Sequence, residues 1–273
     1  MSQDLDCSQD HGPTYGSGAA AALSEIRYDT IGRTYAATRR PDPRIAARLV
    51  EALGDARSVV NIGAGTGAYE PRDRLVIAIE PSRTMIQQRP PGAAPALQAS
   101  AEALQLGDAT VDAVLAILTV HHWSDQSRAF AEIQRVARRR AVFFTYDPAF
   151  LGSWVTRDYF PMIRSRDRGR MPALQAFRAL GHVESVTVPI PWDCSDGFLA
   201  AFWRRPDSYL DRRVRQNISS FAELTSAELE PGLRRLDQDL ASGEWARRYA
   251  TLRTIDELDC GYRLVVCELT DAI

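Results

Sequence analysis

The chain has 273 residues, of which 45% are hydrophobic and 25% charged, with a net charge of −2. That fits one large α/β domain, or a domain with a cap, and it gives no overall field to draw in nucleic acid or an anionic membrane. All 33 basic residues are arginine, which excludes lysine Schiff bases and the lysine of a phosphate loop. Residues 1–22 are acidic and polar with no apolar signal region, so a mobile tail is expected. Residues 23–58 are expected to form N-terminal helices. "SEIRYDTIGRTYAATR" carries apolar residues at mixed helical spacing, with Gly32 as a weak point. "PDPRIAARLVEALG" has Pro43 in its first turn, a stripe of Ile45, Leu49, Val50 and Leu53, and Gly54 as its stop.

Strands and helices then alternate. "SVVNI", "RLVIAIE" and the short "ALQAS" read as strands, and "VDAVLAILTV" as a strand covered on both faces. "SDQSRAFAEIQRVARR" reads as a helix capped by Ser124 or Asp125, followed by the strand "AVFFTYD", the helix "PALQAFRALG" and the strand "VESVTVPI". "YRLVVCEL" is the last strand. The pattern predicts an α/β fold on a mainly parallel sheet, with its core over 59–190 and 259–273. Residues 191–258, rich in aromatics and arginine, are expected to form a helical cap inserted before the last strand. Four cysteines without a C-x-x-C pair signal neither a zinc site nor a disulfide framework, so no metal and a reduced, cytoplasmic setting are expected. No stretch reaches the apolar length of a membrane span.

The stretch "VVNIGAGTGAYEPRDRLVIAIEPS" carries the chemistry. Gly63, Gly65 and Gly67 follow the first strand, where a ligand enters an open α/β sheet. A dinucleotide fingerprint is formally met by Gly63, Gly65 and Ala68, but its pyrophosphate needs a helix starting at the loop. Only "AYEPRD" separates Gly67 from Arg74, and Pro71 restricts it further, so a full crossover helix does not fit. Glu80, ending the second strand, can accept hydrogen bonds from two ribose hydroxyls and would repel a phosphate there. A ribose, close main-chain contact and no obligatory phosphate describe S-adenosylmethionine.

In these residues the chain resembles the class I S-adenosylmethionine-dependent methyltransferases that act on small molecules. The resemblance spans roughly residues 24–190 and the last strand. It rests on "VVNIGAGTG", "IAIEPS", "ASAEALQL", "VDAVLAILTVHHWSD", "AEIQRVARR" and "AVFFTYDP" in that order. It implies a Rossmann-like sheet of seven strands with an N-terminal helical lid. It also implies S-adenosyl-L-methionine as cofactor. Gly63, Ala64 and Gly65 would back its methionine part and Glu80 would hold the ribose diol. Pro81 and Met85 would lie near the adenine face, Ala101 and Glu102 at the adenine edge, and Leu118 in the fourth-strand segment completes the set. Tyr28, Tyr35 and Arg39 occupy the place of the lid, where the Arg39 fork suits a carboxylate. Two departures stand out: Asn61 replaces the family's usual Asp, and the helix after the glycine loop is shortened.

The implied reaction is in-line methyl transfer, for which the protein supplies alignment and exclusion of water. His121, His122 and Asp147 are the candidate proton acceptors at the carboxyl ends of the strands. On an extended segment the two histidines would point opposite ways, so at most one would face the acceptor. Trp154, Tyr159, Phe160, Trp192, Phe198, Phe202 and Trp203 could line an apolar acceptor pocket. The run Arg204, Arg205, Arg212, Arg213 and Arg215 could receive an anionic acceptor. A small molecule, apolar or anionic, is the expected partner. An RNA methyltransferase, a non-catalytic cofactor- or partner-binding protein of the same fold and, more distantly, an NAD-linked oxidoreductase are the alternatives.

Overall fold

Asp42 and Pro43 start the first helix of the computed structural model, which describes residues 40–269; the expected tail and the segment bearing Tyr28, Tyr35 and Arg39 lie outside the described residues. This helix, α1 (Pro43–Leu53), is capped by the Asp42 carboxylate accepting the Arg44 N–H at 3.0 Å, and it ends at Gly54. Ile45, Leu49 and Leu53 are its buried face, as the stripe predicts.

Seven strands form the sheet: β1 (Ser58–Ile62), β2 (Leu75–Ile79), β3 (Ala96–Leu97), β4 (Val111–Ile117), β5 (Ala137–Tyr146), β6 (Gly181–Thr187) and, numbered for its place late in the chain, β9 (Tyr262–Leu269). They lie in the order β3-β2-β1-β4-β5-β9-β6, and β9 alone runs against its neighbours β5 and β6. β1 therefore has β2 on one side and β4 on the other, so chain order reverses at its carboxyl end. The register brings the three ends level: Ile62 pairs with Ile79 on one side and with Ala116 on the other.

Alternate residues of the strands serve two cores, as the two-residue period requires. Val59, Ala113, Leu115, Val142 and Phe144 pack with α1 and with residues 188–203. Val60, Ile62, Val114, Ala116 and Phe143 pack with α3 (Gln126–Val136) and with Phe177 and Leu180. Asp125, not Ser124, caps α3, accepting the Arg128 N–H at 3.0 Å.

The strand boundaries depart from expectation in ways that matter for the site. β4 stops at Ile117, because Leu118 turns to φ 51° and Val120–His122 form a 3-10 turn. The helix α3 ends at Val136, and the next residue already belongs to β5. Arg138, Arg139 and Arg140 are drawn into that strand by Asp112, Asp55 and Glu268, at 3.0, 2.9 and 2.8 Å. "PALQAFRALG" forms a 3-10 helix over Leu174–Leu180, and "VESVTVPI" divides into β6 and β7 (Ile190–Pro191). β7 pairs with β8 (Glu257–Leu258) outside the main sheet.

The cap contains α5 (Arg212–Gln216), α6 (Ser219–Ala222), α7 (Ser226–Ala241) and α8 (Glu244–Arg248). Its apolar core joins Tyr209, Phe221, Leu236, Trp245 and Tyr249 to Trp154, Tyr159, Phe160 and Ile163. The last group comes from residues 154–163, where a π-helical turn (Val155–Tyr159) leads through Phe160 into α4 (Pro161–Arg170); the sequence pattern announces neither element. The expected boundary at residue 191 therefore does not divide this packing. Gly232 of α7 sits where a Cβ would come within 2.4 Å of the Tyr159 carbonyl oxygen, so the two segments meet backbone to backbone. Among the described residues no helix is long and apolar enough to cross a membrane.

Candidate active site: two adjoining clefts

The chain leaves β1 at Ile62 and reaches β2 at Leu75 through turns and bends only, so the crossover carries no helix at all. Gly63 has φ 66°, and a Cβ there would lie 2.0 Å from Thr119 Oγ1. Gly65 has φ 54°, with Met85 Cε 3.3 Å from where its Cβ would stand. Both positions therefore need glycine for conformation, and Gly63 needs it for space as well.

A buried ion pair holds this loop in place of a helix. Arg89 bonds both Glu70 carboxylate oxygens, at 2.6 and 2.7 Å, and also donates to the carbonyls of Gly65 (3.1 Å) and Ala94 (2.9 Å). Glu70 in turn accepts the Ala94 N–H at 3.2 Å and the Asn61 side-chain amide at 3.3 Å. The Glu70 carboxylate thus stands beside Asn61, the position where the resemblance implies an Asp. Asn61 Oδ1 is buried and has no hydrogen-bond partner among the described residues. Tyr69, at φ 65°, donates its hydroxyl to Asp196 at 2.9 Å and accepts the Asp42 N–H at 3.2 Å, tying the loop to both α1 and the cap.

Glu80 follows β2 and is only 5% exposed. Its Oε2 accepts the Gly65 N–H at 2.7 Å, and its Oε1 accepts the Ser82 N–H at 2.9 Å. Burial raises the Glu80 pKa above the ordinary carboxylate range, against the pull of the Ser82 and Gly65 N–H groups and the Arg89 charge. Ser82 caps the short helix α2 (Arg83–Gln87), which seats Met85 under the glycine loop.

Around these residues opens a first cleft of about 1120 Å³, counted with its mouth. Its walls include Asn61, Gly63, Ala64, Gly65, Tyr69, Glu80, Pro81, Met85, Ala101, Glu102, Leu118, Thr119 and His122. All the expected cofactor-site residues within the described range therefore line one cavity. Asn61, Tyr69 and Thr119 join them without having been singled out as wall residues. Glu102 also fixes the turn before α3, accepting the Ser124 N–H (2.7 Å), the Ser124 hydroxyl (2.9 Å) and the Asp125 N–H (3.2 Å). Burial pushes the Glu102 pKa up, but its own N–H and these donors outweigh that and hold it below the ordinary value.

A second cleft of about 960 Å³, counted the same way, adjoins the first and shares Leu118 with it. Tyr146, Ile163, Met171, Phe198, Leu199 and Tyr262 give it apolar walls; His121, Arg166, Asp167, Arg170, Asn217 and Glu223 give it polar ones. His121 lines this cleft and His122 the first. Their rings nevertheless lie 3.8 Å apart, because the 3-10 turn keeps them side by side where an extended strand would have opposed them. Two acidic groups line the second cleft, Glu223, which pairs with Arg170, and Asp167, whose position in a strongly polar helix gave no signal in the sequence. Burial, followed by the charge of Glu223, pushes its carboxyl up to about 7 against the pull of Arg170.

Other candidates stand elsewhere. Asp147 lines neither cleft: it accepts the Ala149 N–H at 2.9 Å and lies 3.8 Å from Arg263, so it holds the turn after β5. Of the seven aromatic candidates for an acceptor pocket, Phe198 alone reaches the second cleft. Trp154, Tyr159 and Phe160 fill the cap core, Trp203 is fully buried and Trp192 is 42% exposed. The arginine run is committed to main chain, carboxylates or solvent: Arg213 lies 3.5 Å from Asp211 and Arg204 3.7 Å from Asp256. Arg204 bonds the Ile255 carbonyl, Arg205 those of Cys194 and Ala201, and Arg215 that of Tyr209.

Comparison with known proteins is consistent with this geometry. A family model described as a methyltransferase domain matches residues 60–145. A protein of Anabaena variabilis ATCC 29413, assigned as a methyltransferase from an antibiotic biosynthesis pathway, is 36% identical. The match covers 85% of this chain and 99% of that one, with a TM-score of 0.78. The YcgJ protein of Bacillus subtilis (15% identity, 84% and 100% of the chains, TM-score 0.50) shares the fold. So does the [4+2]-cyclase SpnF (15% identity, 95% and 99%, TM-score 0.51), a cyclase, so the fold alone does not fix the chemistry. A search of curated proteins gave no match.

Proposed function

The chain belongs to the class I S-adenosylmethionine-dependent methyltransferases, and from that premise we propose that the first cleft seats the methyl donor and the second a small-molecule acceptor. The observation that carries the reading is Glu80. A carboxylate has about four lone-pair directions, and the Gly65 and Ser82 N–H groups use two of them. Two remain for the hydroxyls of a ribose, inside a cavity where they replace lost water. The bare main chain of Gly63, Ala64 and Gly65 would lie against the methionine part, and the unpartnered Asn61 Oδ1 is a ready acceptor for an ammonium there. Pro81, Met85, Ala101 and Leu118 offer apolar surface to the adenine.

When bound, S-adenosylmethionine supplies a methyl group activated by a sulfonium charge. The protein's own part is alignment and exclusion of water. Leu118, held at φ 51° with its N–H on the Phe144 carbonyl at 2.7 Å, stands where the two clefts meet. His121 faces the acceptor side and is placed to take a proton where the attacking atom carries one. An enclosed cleft with apolar walls suits a small acceptor, in keeping with the antibiotic-pathway assignment of the Anabaena relative.

Calorimetric titration with S-adenosylhomocysteine tests the donor site. Glu80→Ala is expected to weaken binding by about a hundredfold, the loss of two hydrogen bonds to a charged group. An unchanged affinity in a folded variant would remove Glu80 from the site and the donor reading with it.

A further inference from the structure

We propose that the second cleft selects an acceptor with a basic amine on an apolar body, and that Asp167 receives the ammonium. The proposal rests on the second cleft being the acceptor site. The charges on its wall are mostly satisfied within the protein. Arg166 reaches both oxygens of Glu228 at 2.9 Å, and Arg170 pairs with Glu223. The Asp167 carboxylate accepts no hydrogen bond from any described residue, yet it lies on the wall of the cleft between these two arginines in sequence.

A carboxyl group taken partly out of water without a hydrogen-bond donor is costly, and the Arg170 charge offsets that cost only in part. The choice of ligand charge follows. An anion would meet Asp167 and Glu223 across a cleft whose guanidinium groups are already engaged. A neutral hydroxyl would leave the Asp167 charge unbalanced. An ammonium would pair with it and offset the burial that pushes its carboxyl up to about 7. The apolar walls supply the rest. Phe198 and Tyr262 have ring centroids 4.9 Å apart, Tyr146 and Tyr262 5.7 Å, giving faces suited to an apolar body and to a cation beside it. His121 and Cys260 are the other titratable groups lining the cleft.

The test uses the full chain at pH 8, titrated first with S-adenosylhomocysteine and then, in the saturated state, with 2-phenylethylamine, 2-phenylethanol and 3-phenylpropanoate. The first titration judges the donor site by itself: failure there removes the methyl-donor reading, and success followed by no amine preference removes only this proposal. The amine is expected to bind about tenfold or more tighter than the alcohol, the fold-change of one charge-assisted hydrogen bond, and the carboxylate weakest. Asp167→Asn is expected to abolish the preference and Asp167→Glu to keep it, with S-adenosylhomocysteine binding as the check that each variant is folded. Equal or tighter binding of the alcohol or the carboxylate, binding of none of the three, or a preference that survives Asp167→Asn would overturn it.

Discussion

Replacing Arg89 by Met should show how the glycine loop is held. Arg89 is 6% exposed and Glu70 7%, so the pair is effectively out of water. Arg89→Met leaves the Glu70 carboxylate without its cation and strips a donor from the carbonyls of Gly65 and Ala94. Breaking a buried pair from one side costs about 3–5 kcal/mol, a large share of the roughly 5–15 kcal/mol that stabilises a typical domain. Glu70→Leu strands the guanidinium and should cost a similar amount. The double variant removes both charges, so its loss should fall short of the sum of the singles by about 2 kcal/mol or more. Urea unfolding of the four proteins, followed by far-ultraviolet circular dichroism, gives the cycle. S-adenosylhomocysteine affinity should fall in parallel, since Arg89 grips Gly65 from the carbonyl side while Glu80 grips it from the N–H side. Additive losses, with coupling under about 0.5 kcal/mol, would mean that water already screens the pair and that something else shapes the loop.

Two further outcomes are expected. Gly63→Ala should cost about 2 kcal/mol or more and weaken cofactor binding, because the new Cβ meets Thr119 Oγ1 in a left-handed conformation. Thr119→Ala should recover only part of that loss in thermal melts, since the Thr119 Cβ would still stand 2.7 Å away. Asp167→Asn should change stability with pH in a definite direction. The folded-state pKa of Asp167 is raised to about 7 from 3.8, so the native protein binds its proton more tightly than the unfolded chain does. That contribution is fully present below about pH 4 and is lost as pH rises through about 7. The variant should therefore match the parent near pH 4 and exceed it at pH 8, by up to about 4 kcal/mol at roughly 1.4 kcal/mol per pKa unit. A stability difference independent of pH would show that the carboxyl titrates as an exposed group does.

Much of the sheet was legible because its strands are apolar runs bounded by turn residues. β1, β2 and β9 appear within a residue or so of where "SVVNI", "RLVIAIE" and "YRLVVCEL" place them. The boundaries failed where a distant partner decided them. Arg138 and Arg139 read as a helix end, yet with Arg140 they lie in β5, where the carboxylates of Asp112, Asp55 and Glu268 pair with them. Leu118 sits inside an apolar run, and no local signal marks the left-handed turn that ends β4 there. Asn61 was visible as a departure from the family pattern, but the Glu70 carboxylate beside it was not. Arg89, from beyond β2, closes on the same Glu70 carboxylate, and no sequence spacing announces that meeting.

The two clefts differ in how the chain encodes them, and the difference bears on how acceptor choice could change. The first is made largely by one run, residues 61–85, whose spacing is fixed by two adjacent parallel strands and a loop too short for alternatives. A motif can describe it because neighbours in sequence are neighbours in space. The second draws on residues 118–121, 146–171, 198–223 and 260–262, brought together by packing of the cap against the strand ends. No spacing rule links those segments, so Asp167 carries no signature, although it is the charge that stands out once they are assembled. Substitutions in α4 or α6 can therefore alter the second cleft while Glu80, Gly63 and Gly65 keep the contacts they make with one another and with α2. Among the described residues Leu118 alone belongs to both walls, and its strained backbone is where a change in the second cleft would first be felt in the first.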